Sequence, residues 1–302
     1  MRHALIDTDP GIDDALALLL AWGSPEWTVG TVTTVAGNVP LDVATLNVFR
    51  LLDLRRPSPP PVVAAGAARP LARDLETAVR YHGEDGLGEL TDWPPVQLRP
   101  GRESAAQIIV ETARRHARDL TIVALGPLTN LALAAEIDAG ALRGAGRVVV
   151  MGGAVDVPGN VTSDAEFNAH CDPEALARVL EAGVRVDLVP LDATRQAILE
   201  RNALSAAATA MPGPIAERVC RFTERAFRVD LAQGTRGMVL HDPLAVGVAI
   251  DPSLVQWEPV RLAIGPEGQT RRAPGETNCR FARVVDAPRF LSMFLERLCP
   301  AS

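Results

Sequence analysis

The sequence predicts an α/β protein: an open, mostly parallel central sheet with helices on both faces and a C-terminal hairpin at one edge. Three observations carry this. Short apolar runs such as Leu120 to Leu125, Arg147 to Met151 and Val184 to Val189 alternate with longer helical segments, as they do when parallel strands are joined by covering helices. The first run, His3 to Thr8, turns through Asp9-Pro10-Gly11 directly into an apolar helix, Ile12 to Trp22. The last two runs, Trp257 to Ile264 and Arg280 to Val285, are joined by a polar segment bearing Gly and Pro, the pattern of an edge hairpin.

The strand–turn–helix stretch holds four aspartates within eight residues: Asp7, Asp9, Asp13 and Asp14. Pro10 fixes φ at the corner, and Gly11 is expected to supply a positive φ there. One acidic residue in a first helical turn is favoured by the helix dipole. Four crowded carboxylates repel one another and hold protons unless a cation neutralises them. Oxygen ligands of that charge suit a hard ion, Ca²⁺ or Mg²⁺. Their place at the carboxyl end of a strand is where sites form in open α/β sheets.

The elements follow in order. Trp27 to Val35 reads as a strand and Leu41 to Leu54 as a helix, and Val62 to Ala65 as a further apolar run. The proline-rich segment Arg55 to Pro61 reads as a stiff connection inside one domain spanning 1–302. Residues 67–100 lack periodicity and read as a long glycine-bearing loop, with His82 on the surface. Helices are expected over Ser104 to Ala117, after Gly126 to Asn130, and after Asp172-Pro173-Glu174. Gln196 to Gln233 reads as helical with a break near Met211 to Pro214. His241-Asp242-Pro243 opens an apolar helix, Leu244 to Ile250, with Asp242 as its N-cap. Pro288 to Leu298 closes the chain.

Composition narrows the function. At 47% hydrophobic residues the chain can bury a sizeable core, and a net charge of −7 argues against a nucleic-acid binder. No run of 18 apolar residues suggests a membrane span. The chain enters its first strand at once, leaving no room for a signal peptide. Cys171, Cys220, Cys279 and Cys299 are scattered, with no CxxC. They read as reduced thiols, so a cytoplasmic location is expected. All 30 basic residues are arginine; without lysine there is no Schiff base and no Walker A site. GxGxxG after a strand and GxSxG are also absent.

The motif DTDPGIDDALALLLA (Asp7 to Ala21) resembles the signature of the inosine-uridine preferring nucleoside hydrolase family. TTVAGN (Thr33 to Asn38), ALGPLTNLA (Ala124 to Ala132), VVMGG (Val149 to Gly153), AEFN and DPEA (Ala165 to Ala175) and HDPLAV (His241 to Val246) follow in the family's order. The resemblance implies the nucleoside hydrolase fold and Ca²⁺-dependent cleavage of the N-glycosidic bond of ribonucleosides, in nucleoside salvage. It implies Ca²⁺ held by Asp9, Asp14, Asp242 and the backbone carbonyl of Leu125, with Asp13 as general base on a metal-bound water. Asn38, Asn160, Glu166 and Asn168 would grip the ribose hydroxyls, and Met151 would line the sugar pocket. His82 and His241 would lie towards the base, with His241 donating a proton to it. The partner implied is a small ribonucleoside, and the assembly a homodimer or homotetramer.

One departure stands out. Family members often place tyrosine in the helix before HDP, whereas here Tyr81 is the only tyrosine and that helix offers Phe222, Phe227, Arg228 and Gln233. Base preference is therefore left open. Two other readings compete. Asp7-Thr8-Asp9 resembles the DxD of haloacid-dehalogenase-type phosphatases, although Pro10-Gly11 and Asp13-Asp14 fit that pattern poorly. A Ca²⁺-dependent ribose-binding protein without turnover is the other, and the intact Asp13 argues against it.

Overall fold

In the computed structural model, which describes residues 2–97 and 99–298, the chain starts with β1 (Arg2–Thr8), α1 (Ile12–Trp22), β2 (Trp27–Thr34), α2 (Leu41–Arg55), β3 (Val62–Ala65) and the single turn α3 (Val79–His82). It continues through α4 (Ala105–His116), β4 (Leu120–Ala124), α5 (Thr129–Gly144), β5 (Arg147–Met151), α6 (Phe167–Cys171), α7 (Pro173–Glu181), β6 (Val186–Val189) and α8 (Leu191–Thr194). The remainder holds β7 (Ile198–Leu199), α9 (Arg201–Ala210), α10 (Pro214–Ala232), β8 (Met238–Val239), α11 (His241–Ile250), β9 (Val255–Val260), β10 (Leu262–Ile264), β11 (Thr270–Arg272), β12 (Cys279–Val285) and α12 (Ala287–Leu298).

Eight strands form the main sheet in the order β3-β2-β1-β4-β5-β6-β12-β9. All neighbours are parallel except the edge pair β12–β9. From β1 the chain winds outward to β3, then returns to β4 on the other side of β1 and winds outward again. The carboxyl ends of β1 and β4 therefore flank a topological switch point, where the crossovers diverge and leave a crevice. Leu125, just past β4, donates its N–H to the Asp7 carbonyl at 2.8 Å and holds the two strand ends together.

The sheet buries apolar side chains on both faces. One core layer gathers α1, α10, α11 and α12, and the other gathers α4, α5 and α7. Every residue of α1 from Ile12 to Ala21 is buried, so this helix lies inside the layer and not on its surface. It packs along α11, of which all residues from Asp242 to Ile250 are buried. Both N-termini point at the crevice beyond β1 and β4. Farther along the sheet, Asp187 of β6 accepts from Arg147 of β5 at 2.6 Å and from Arg280 of β12 at 2.6 Å, tying three strands together.

Four details differ from the sequence reading. Asp242 is not the N-cap of α11: the helix starts one residue earlier, at His241, so Asp242 sits inside its first turn. Gly11 has φ −94°, so no positive φ is used at that corner. A Cβ there would lie 2.4 Å from His82 Nδ1, and close approach of that ring is what requires glycine. The expected strand Trp257 to Ile264 breaks at Arg261: β9 pairs with β12, while β10 leaves the sheet to pair with β11. The Asn278 side chain diverts it, accepting from the Leu262 N–H and donating to its carbonyl, both at 2.9 Å. Residues 67–100 are mostly irregular, but the turn α3 carries His82 into the interior at 5% exposure. Cys171 and Cys279 are buried free thiols and Cys220 is a half-buried one; Cys299 lies outside the described residues.

Candidate active site and metal centre

The aspartates are built into the crevice by backbone geometry. Asp14, at the third position of α1, accepts from the Gly11 N–H at 3.0 Å, closing the first turn on itself. The Asn38 amide donates to the same oxygen at 2.9 Å, and the other oxygen takes the Thr8 hydroxyl at 2.5 Å. Asp9 leaves β1 in a slot between two glycines. A Cβ on Gly37 would stand 2.1 Å from its Oδ2, and one on Gly126 would stand 2.4 Å from its Oδ1. Asp9 Oδ2 accepts from the Asn38 N–H at 2.6 Å. Its Oδ1 is fully buried without a hydrogen-bond partner among the described residues.

Asp242, in the first turn of α11, completes the group. Carboxylate oxygens of Asp13, Asp14 and Asp242 lie within 4.8 Å of one another. Two helix N-termini supply the positive dipole ends that make this crowding tolerable. The remaining repulsion shows in the titration. Burial, then Asp14, hold Asp13 well above the usual carboxylate range. Burial, then Asp14 and Asp13 against the Asn38 N–H, do the same for Asp9. Asp242 is raised by burial, then by Asp13, Asp14 and Asp9. Carboxylates that disfavour charge so strongly, with one oxygen orphaned among them, are a donor set suited to a hard divalent cation. Asp13 stands within the close triangle, and Asp9 lies outside it but feels the charges of Asp14 and Asp13.

Asp7 serves a different purpose. Its Oδ1 accepts from the Thr33 hydroxyl at 2.5 Å and the Asn130 amide at 2.8 Å. It thereby links β1, β2 and α5, and burial pushes its carboxyl up to about 7.

Over the cluster lies a cavity of about 640 Å³. Of the residues expected in the site, all but Asp9 and Asp14 line it; those two form the floor beneath. Asn168 Nδ2 donates to the Leu125 carbonyl at 2.6 Å, fixing that oxygen at the end of β4 and leaving the Asn168 carbonyl to the cavity. Met151 forms a buried wall. Glu166 is the N-cap of α6: it accepts from the Asn168, Ala169 and Gly153 N–H groups at 2.9, 3.1 and 2.9 Å. Asn160 accepts from the Phe167 N–H at 3.0 Å, which leaves its amide N–H₂ for a ligand.

Two histidines occupy another part of the lining. The His82 Nδ1 accepts from the Ile12 N–H at 2.9 Å, so its proton sits on Nε2. Burial pulls its pKa down to about 4, and its 4.0 Å approach to Asp13 is therefore not an ion pair. His241 pairs through Nδ1 with the Thr194 hydroxyl at 2.8 Å. Burial, then Arg195 and His82, hold its pKa at about 4. The ordinary imidazole value lies near neutrality; this site keeps His241 uncharged at pH 7.

The residues around the missing tyrosine sort differently from their order in sequence. Phe222 and Phe227 are buried in the core, and Arg228 is exposed beside the cavity and does not line it. Tyr81 and Asp230 do line it, joined by a hydrogen bond of 2.9 Å from the tyrosine hydroxyl. Asp230 was not picked out from the sequence, and Tyr81 stood out there only as the single tyrosine of the chain. Only the crossing of α10 over α3 brings them together, and no local pattern announces it.

Comparison with known proteins agrees with this geometry. A family model described as inosine-uridine preferring nucleoside hydrolase matches residues 4–292. The probable uridine nucleosidase 2 of Arabidopsis thaliana is 34% identical over 98% of this chain and 97% of that protein. The pyrimidine-specific ribonucleoside hydrolase RihA of Citrobacter koseri is 35% identical over 97% of each. A solved purine-preferring ribonucleoside hydrolase from Gardnerella vaginalis superposes with a TM-score of 0.92 at 30% identity, covering 99% of this chain and 98% of that one. With motif order, fold and site in agreement, the chain belongs to the inosine-uridine preferring nucleoside hydrolase family, enzymes that hydrolyse ribonucleosides to ribose and free base.

Proposed function

We propose that the protein hydrolyses free ribonucleosides with Ca²⁺ held by Asp9, Asp14, Asp242 and the Leu125 carbonyl. The observation that carries this is the buried carboxylate cluster, with its orphaned Asp9 oxygen, under a cavity lined by amides and imidazoles. A divalent cation in that cluster neutralises the carboxylates and makes water easier to deprotonate. Asp13 is the general base: it is the member of the close triangle not assigned to the metal, it lines the cavity, and burial and then Asp14 raise its carboxyl above the ordinary range, as suits a proton acceptor. The Asn38, Asn168 and Glu166 oxygens face the ribosyl ring, where positive charge develops as the glycosidic bond breaks. Attack on the face opposite the leaving base parallels inverting glycoside hydrolysis. Asn160 and Glu166 take the 5′-hydroxyl. His241 acts as a neutral donor: with Thr194 donating to Nδ1, its Nε2–H is free for the departing base.

We also read the chain as one domain, since a single sheet runs through it from β3 to β9. The unpaired thiols of Cys171, Cys220 and Cys279 support a cytoplasmic place in nucleoside salvage. Among the described residues no helix is long and apolar enough to cross a membrane. A homodimer or homotetramer is the expected assembly.

The test is reducing-sugar release from uridine and inosine, their 2′-deoxy forms and their 5′-monophosphates. Ribonucleosides should be hydrolysed, and loss of the 2′-hydroxyl should lower kcat/KM by about 10⁴-fold, as in sites built around a hydroxyl. The monophosphates should fail, because the phosphate meets the Glu166 carboxylate in a chain without lysine. Comparable rates on the monophosphates would refute the role given to Glu166. Phosphate release with no free base would refute the function itself.

A further inference from the structure

The lining of the cavity contains two acidic groups that the metal cluster and the ribose do not use: Glu76, which is exposed and pairs with His170, and the buried Asp230. Asp230, near the end of α10, is 5% exposed. Its Oδ2 accepts two hydrogen bonds, from the Tyr81 hydroxyl at 2.9 Å and the Val239 N–H at 3.0 Å. These two donors come from α3 and β8 and together hold that oxygen in place. The other oxygen, Oδ1, accepts no hydrogen bond among the described residues, and the cavity is what Asp230 lines. The Tyr81 ring in turn stands edge-on to His82, with centroids 4.8 Å apart at 65°. Asp230 therefore belongs to the wall that carries the histidines, at the end of the site assigned above to the base. It lies near enough for its charge to contribute to the raised pKa of Asp13.

An ionised carboxylate only accepts hydrogen bonds. Facing a base, it rewards an N–H edge with a charge-assisted bond and leaves a carbonyl or bare ring nitrogen unpaired against it. The geometry points to Asp230 as the base-reading residue of this chain: its free oxygen accepts a ring N–H, so the preferred substrates are ribonucleosides whose base carries an imide or lactam N–H. Uracil and hypoxanthine have that group, and the N-methylated bases lack it. This inference rests on the nucleoside hydrolase reading and adds a specificity determinant to it. Tyr81 is then a positioning residue, holding the carboxylate through its hydroxyl.

The test compares kcat/KM for uridine against 3-methyluridine, and inosine against 1-methylinosine, in the wild type and in Asp230→Asn. Asparagine has the same size. Its carbonyl can keep the Tyr81 and Val239 bonds while its N–H₂ replaces the free oxygen, so the bulk of the methyl group weighs equally on both enzymes. The expected result is that the preference for the unmethylated nucleoside falls by about tenfold or more in the variant, the scale of one hydrogen bond to a charged group. Asp230→Ala should lower the same ratio, which keeps the test decisive if either variant folds poorly. An unchanged ratio in variants that still turn over nucleosides would overturn the inference and leave the hydrolase reading standing. No turnover of any ribonucleoside by the wild type would overturn both.

Discussion

Asp13 and Asp14 are neighbours in sequence with opposite surroundings. Asp14 receives hydrogen bonds from the Thr8 hydroxyl, the Asp9 and Gly11 N–H groups and the Asn38 amide, which fix the orientation of its carboxylate. Among the described residues Asp13 receives none from side chains, and it opens to the cavity at 8% exposure. A carboxylate held in one orientation suits a metal ligand, whereas a less constrained one can take a proton. Asp13→Ala should therefore lower kcat by the ~10²–10⁴ that positioned proton transfer contributes, while Ca²⁺ still binds. Single-turnover rates together with calcium titration check this, and a near-normal kcat would show that another group is the base. At this scale the sequence was most informative where the chemistry is local. DTDPGIDD places its carboxylates by a single strand-to-helix corner, so spacing alone brings them together. Asp230, Tyr81 and Thr194 carry no such signal, because each meets its partner across more than 40 residues of chain. The depressed pKa of His241 is equally invisible in sequence, since burial sets it.

Elements were legible in proportion to their length and burial. The apolar runs of β1 to β6 and the helix α1 appear close to where the sequence puts them, because strands covered on both faces read as continuous apolar runs. The two-residue strands β7 and β8 were missed, since no periodicity can show over two residues. The break between β9 and β10 was missed because a side chain, Asn278, replaces a strand partner there. The ion triad Arg147–Asp187–Arg280 belongs to this scale, as it clamps β5, β6 and β12. Burial alone would raise the Asp187 pKa, but hydrogen bonds from Arg280 and then Arg147 outweigh it, and the carboxyl titrates below its ordinary value. A depressed carboxyl pKa stabilises the fold above the unfolded value near 4, and that stability is lost as pH falls through the folded pKa. Asp187→Asn should thus destabilise the protein at pH 7 by about 1–3 kcal/mol, the worth of hydrogen bonds to a charged group. The gap from wild type should narrow as urea unfolding is taken from pH 5 to below 3. An equal gap at both ends would mean that the triad's charge contributes nothing.

The whole molecule explains why the site lies where it does. Winding outward from β1 in both directions opens a crevice at the carboxyl ends of β1 and β4. The packing of α1 along α11 then aims two helix N-termini into it, and the corner after β1 and the start of α11 deliver the aspartates. Fold and site are in this sense one construction: the apolar core holds α1 and α11 together, and their approach forces Asp13, Asp14 and Asp242 to within 4.8 Å. Three close carboxylates and an orphaned Asp9 oxygen are stable together with a cation among them and poorly matched to one another without it. The most direct test is uridine or inosine hydrolysis by protein stripped of metal, with the stripping verified by elemental analysis, before and after Ca²⁺ is restored. The account predicts that activity disappears on stripping and returns with one Ca²⁺ per chain; full activity in verified metal-free protein would contradict it.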